Sequence, residues 1–126
     1  EELYSCSSPN MIVDSQERKY ICWREDVVKL KVGHMESKSI KDVLLIEKCS
    51  SFESLEKDSK DRIYLLSCDS VPKLIVWNGK DWSTPYTIPT VYKIENAKLF
   101  RHYNGNVFVA YFLGDDLIIQ EVIIKN

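Results

Sequence analysis

The chain has 126 residues, with 44% hydrophobic and 29% charged content and a formal net charge of −2. That is one small domain, or a piece of one, with enough apolar content for a core. The near-neutral charge leaves no electrostatic case for nucleic acid or an anionic membrane surface. Apolar runs such as Val43-Leu44-Leu45-Ile46 and Val107 through Leu113 fall far short of the roughly 20 residues of a membrane helix.

In chain order, strand signals dominate. Segments rich in Val, Ile, Tyr and Phe predict strands at Leu3–Cys6, Lys19–Trp23, Val27–Val32, Val43–Cys49, Arg62–Cys68, Lys73–Trp77, Tyr86–Ile88, Lys98–Tyr103, Asn106–Leu113 and Leu117–Lys125. Val28-Lys29-Leu30-Lys31-Val32 alternates apolar with polar, the mark of a strand with one wet face. Asn78-Gly79, Asn104-Gly105 and Gly114-Asp115-Asp116 read as turns, so the tail from Lys98 is expected to be a three-stranded meander. Ser51–Lys60 has a serine N-cap followed by glutamates, which reads either as one short helix or as a loop.

Cys6-Ser7-Ser8 leads to Lys19-Tyr20-Ile21-Cys22, and Cys49-Ser50-Ser51 leads to Ile63-Tyr64-Leu65-Leu66-Ser67-Cys68. This doubling predicts a unit of about 45 residues, with approximate repeats 1–43, 44–89 and 90–126, the last without cysteine. The expected fold is all-β, in repeated antiparallel meanders like propeller blades; a β-trefoil and a β-sandwich are the alternatives. Four cysteines allow three pairings. The doubling favours disulfides Cys6–Cys22 and Cys49–Cys68, each closing a loop worth about 3 kcal/mol in the chain-entropy model. Four buried thiols in a reducing compartment are the alternative. No Cys-x-x-Cys spacing occurs, and His34 and His102 are far from the cysteines in sequence, so no metal site and no cofactor are expected.

Leu74 through Pro89 resembles the outer hairpin of a sialidase-type propeller blade, whose Asp-box turn reads S-x-D-x-G-x-T-W. Gly79 and Trp82 match its glycine and tryptophan, while Ile75, Trp77 and Asp81 replace its serine, aspartate and threonine. Ala97 through Ile124 is similar to the opening strands of the next blade. Cysteine pairs inside blades resemble the cysteine-rich, catalytically inactive sialidase-fold surface antigens of parasites. The resemblance implies action through protein partners. It also implies self-association or a second chain, because two and a half blades close no ring and leave strand edges open.

A sialidase site needs an arginine cluster to grip a carboxylate. Arg101 in Leu99-Phe100-Arg101-His102 is the candidate by resemblance, without the Ile-Pro that follows it in the family. A Gly-x-Ser-x-Gly elbow and a phosphate-binding glycine loop are both missing from the sequence. Asp115-Asp116 reads as a solvated hairpin tip. Trp77, Trp82 and Tyr86 flank the Asn78-Gly79 turn, either packing internally or forming an aromatic binding cluster. The reading is of a secreted or cell-surface, non-catalytic module that binds a protein in a host–pathogen or surface complex. A glycan-binding or sialidase-like fragment is one alternative; an immunomodulatory, cytokine-receptor-like domain, after the Trp23 beside Cys22, is the other. The chain opens on Glu1-Glu2, so a secreted form is expected to have lost its leader.

Overall fold

A computed structural model describes residues 9–26, 28–47, 49, 52–68, 71–88 and 97–124, with Phe52 and Cys68 described in backbone only. Every regular element among them is a β-strand. They are β1 (Asn10–Val13), β2 (Lys19–Arg24), β3 (Leu30–Glu36), β4 (Ser39–Ile46), β5 (Phe52–Lys57), β6 (Ile63–Cys68), β7 (Pro72–Trp77), β8 (Tyr86–Thr87), β9 (Ala97–Arg101), β10 (Val107–Leu113) and β11 (Asp116–Glu121). They form three antiparallel sheets of consecutive strands, ordered β1-β2-β3-β4, β5-β6-β7-β8 and β11-β10-β9. The chain divides into two compact units, Glu1–Ser50 with the first sheet and Ser51–Asn126 with the other two.

The strands follow their side chains. In β2, Tyr20 and Cys22 are buried and their neighbours are not; in β10, Val107, Val109 and Tyr111 are buried on alternate positions. That period-2 burial gives each sheet a wet and a dry face. β6 differs: Ile63, Tyr64, Leu65 and Leu66 are all buried, as a strand covered on both faces requires. Its Tyr64 and Leu66 join Leu74 and Val76 of β7 in one core cluster with Ala97, Leu99, Val107, Val109 and Tyr111. The third sheet therefore lays its inner face on the second.

The described part of the expected Ser51–Lys60 element, from Phe52 on, forms no helix. Phe52–Lys57 is β5, paired with β6 from Phe52↔Cys68 to Lys57↔Ile63. An isolated polar helix of that length is marginal, whereas a strand gains a full ladder and a tether. Ser54 is buried, and its hydroxyl accepts the Leu99 amide at 3.0 Å, tying β9 to β5. Strand β1 is also new, while the expected strand Leu3–Cys6 lies outside the described residues. β3 and β4 overlap the expected Val27–Val32 and Val43–Cys49 but run on toward each other, because they meet at a Ser37-Lys38 turn that carries no glycine or asparagine. Ser37 supplies the left-handed conformation there, with φ 56°. The three anticipated glycine turns do form, with φ of 102° at Gly79, 91° at Gly105 and 63° at Gly114.

β2, β6 and β10 begin at Lys19, Ile63 and Val107, two steps of 44 residues. Strand starts thus recur at 44 residues, but the cysteines do not share that spacing. A step of 44 carries Cys22 onto Leu66 and Arg24 onto Cys68. The equivalence lies instead in the turn before each of these strands.

Candidate functional site

The turn before β2 begins with Asp14. Its amide donates to the Arg18 carbonyl, its carbonyl accepts the Glu17 amide, and Glu17 takes the left-handed conformation at φ 64°. This is a type I turn followed by a left-handed residue, a common three-residue hairpin loop. The turn before β6 repeats it: Asp58 pairs with Arg62, the Asp61 amide donates to Asp58, and Asp61 has φ 61°. Before β10, His102 pairs with Asn106, the Gly105 amide donates to His102, and Gly105 fills the left-handed place.

In the first two turns one carboxylate holds the whole loop. Asp58 Oδ1 accepts the amides of Lys60 and Arg62 at 2.9 and 3.0 Å. Its Oδ2 accepts Arg62 Nε at 2.6 Å and the Tyr64 hydroxyl at 2.7 Å. Asp14 does the same with the Gln16 and Arg18 amides, Arg18 Nε at 2.7 Å and the Tyr20 hydroxyl at a looser 3.3 Å. Burial raises the Asp58 pKa, but hydrogen bonds from Tyr64, Arg62 and Lys60 outweigh it and hold the carboxyl below its ordinary value. Asp14 is lowered in the same way against its own burial. Burial and the bond to Asp58 push the Tyr64 phenol well above its ordinary value. In the third turn His102 replaces the aspartate, its Nδ1 accepting the Asn104 amide at a long 3.4 Å, and Phe108 replaces the tyrosine, with the two rings 5.8 Å apart. The second and third turns touch, since the Ser59 amide donates to the Gly105 carbonyl at 3.1 Å.

The aspartate turns were legible as Asp14-Ser15-Gln16-Glu17-Arg18-Lys19-Tyr20 and Asp58-Ser59-Lys60-Asp61-Arg62-Ile63-Tyr64, which share Asp, Ser, Arg and Tyr at the same spacing. Cys6 lies outside the described residues and Cys68 is described in backbone only, so neither expected pair is seen in full. Cys22 and Cys49 are both buried, and no disulfide joins described residues. Cys49 is seated by backbone: its amide donates to the Val28 carbonyl at 2.8 Å, and its own carbonyl accepts Arg24 Nη1.

The aromatic candidates separate. Trp77 is buried and packs its ring 5.2 Å from that of Trp82, with which it forms an isolated bridge. The Asn78 side chain closes the turn between them by accepting the Lys80 and Asp81 amides. Tyr86 is exposed and lines a groove of about 410 Å³ between the second and third sheets. Leu74 and Ile88 form its wall on one side, Val109, Val122 and Ile124 on the other. Arg101 is exposed at the end of β9, opposite Val107, and is not among the residues lining this groove. A groove of this size suits apolar side chains, with Tyr86, Thr87, Gln120 and Glu121 as the polar-bearing members of its lining. No helix among the described residues is long and apolar enough to cross a membrane. In comparison with known proteins, no family model and no curated protein matches the sequence.

Proposed function

We propose that the chain is a secreted or cell-surface, non-catalytic binding module of propeller-blade-like repeats, and that its partner is a protein. A period of 44 residues with up to four antiparallel strands per unit supports the blade reading. So does the turn at Asn78–Asp81, which lies between the third and fourth strands of its sheet. The observation that carries the binding function is the groove at Tyr86, an open apolar channel with an exposed aromatic rim. An extended segment with apolar side chains fits it, with the Tyr86 ring as anchor. The strongest buried ionisable groups, Asp14, Asp58 and Tyr64, are spent on holding turns.

The test replaces Tyr86 with a photo-crosslinking phenylalanine and exposes the protein to the surface of its own source cells. One saturable protein adduct is expected, competed by unlabelled chain and lost with Ile88→Asp. Only non-saturable labelling, unchanged by Ile88→Asp, would remove the groove from the account. The compartment is tested separately by peptide mapping without reductant. Linked Cys6–Cys22 and Cys49–Cys68 peptides are expected, and four free thiols in protein isolated from its source would contradict it.

A further inference from the structure

We infer that the outer face of the third sheet is a docking surface for the first sheet of a second copy of this chain, in a head-to-tail contact. This rests on the stacking of the repeats and is independent of what fills the groove. Strand alternation puts Phe108, Ala110 and Phe112 of β10 opposite the core-facing side, and the ladder sets Ile119 beside Ala110 and Leu117 beside Phe112. Phe100 of β9 stacks on Phe108 with centroids 5.5 Å apart. Phe112 is 63% exposed, Leu117 55% and Ile119 53%. A contiguous aromatic and aliphatic face of this kind marks an interaction surface.

The repeat names the occupant. On the second sheet the ladder pairs Tyr64↔Val76 and Leu66↔Leu74 form the face that the third sheet covers. The same ladder positions on the third sheet are Phe108↔Glu121 and Ala110↔Ile119, of which Glu121 and Ile119 are exposed and Phe108 and Ala110 half-buried. The covering face of the third sheet is built on Leu99, Val109 and Val107. Eighty-eight residues earlier, two steps of the repeat, stand Met11, Ile21 and Lys19 on the first sheet, with Met11↔Ile21 paired as Leu99↔Val109 are. Met11 is 58% exposed.

The two faces therefore hold the same repeat positions as the two faces that meet between the second and third sheets. Charge fits as well. Val76 and Val107 share the internal cluster, and their counterparts in the new contact are Glu121 and Lys19, of opposite sign. Such a contact is heterologous: it joins two different faces, and so extends into a ring or an open chain of copies.

Sedimentation velocity tests this with two variants, each blunting one face by a charge at an exposed position. The native chain is expected to assemble as its concentration rises through the micromolar range. Met11→Asp alone and Ile119→Asp alone are each expected to remain monomeric. Their equimolar mixture is expected to form a 1:1 dimer, because each supplies the face the other lacks; this complementation also shows that both are folded. A native chain that stays monomeric overturns the inference. So does a Met11→Asp chain that still dimerises, which would mean that the third-sheet face pairs with itself, or a mixture that stays monomeric.

Discussion

Removing the Asp58 carboxylate by Asp58→Ala strips four hydrogen bonds from one turn. The costs differ by solvent access. The Lys60 amide lies in an exposed turn, and water replaces its bond at little cost. Arg62 keeps 28% of its side chain exposed, so its charge-assisted bond contributes toward the lower end of the usual range, about 1.5 kcal/mol. The Tyr64 hydroxyl has no such recourse. Tyr64 is 2% exposed, and an orphaned buried donor costs about 1–3 kcal/mol. The expected loss is thus about 2.5–4.5 kcal/mol, a large share of the stability of a domain this size. Urea unfolding followed by tryptophan fluorescence measures it, since Trp77 is buried in the same unit. The orphan argument makes a sharper claim. Tyr64→Phe removes the donor, so in the double variant with Asp58→Ala the loss should fall short of the sum of the singles by about 1–2 kcal/mol. Strict additivity, or a loss under about 1 kcal/mol for Asp58→Ala, would refute the reasoning. Asp14→Ala is expected to cost less, because Tyr20 holds its carboxylate only at 3.3 Å.

Acid should unfold the protein through these carboxyls. Their folded pKa values lie below the ordinary 3.8, so their stabilisation is present above that pH and is lost as pH falls through the folded values. A urea midpoint series from pH 6 to about pH 2 should slope downward below about pH 4, and Asp58→Asn should flatten it. The Tyr64 phenol moves the other way. Its raised pKa favours the protonated folded form, so the contribution is whole below the ordinary 10.0 and declines as pH rises above it. Tyr64→Phe should remove that alkaline decline. Gly105→Ala should destabilise by about 2–4 kcal/mol in thermal or urea unfolding, combining a left-handed penalty with overpacking. Its Cβ would meet the Ser59 Cβ at 2.5 Å with φ at 91°. Glu17→Gly, at the equivalent left-handed place with an exposed side chain, should raise the unfolding free energy by up to about 1 kcal/mol in the same urea assay.

The all-β class and the antiparallel meanders were legible because period-2 burial and glycine turns are local signals. Gly79, Gly105 and Gly114 marked three loops by type. The misreadings have physical causes. β5 carries Glu53, Ser54, Glu56 and Lys57, residues with no strand preference of their own; pairing with the apolar β6 overrides them. The Ser37-Lys38 turn holds a left-handed serine that composition does not flag. The period was found near 45 because strands and cysteines recur together only loosely. The Asp, Arg and Tyr spacing gives 44 for the strands β2, β6 and β10, while the ladder carries Val76 to Glu121 and Leu74 to Ile119, one residue further. The groove was half visible: Tyr86 stood out as an aromatic, but Val122 and Ile124, which form the far wall, read only as the end of a long apolar strand. Trp77 was conspicuous for its size and proves to be core.

The groove and the docking face both depend on one arrangement, the third sheet laid on the second in repeat register. Nuclear Overhauser contacts between methyl groups measure it directly. Cross-peaks from Leu66 and Leu74 to Leu99 and Val109 are predicted by the shared core cluster. Their absence, with contacts from Leu66 to Ile119 or Ala110 instead, would place the other face of the third sheet inward and contradict the account.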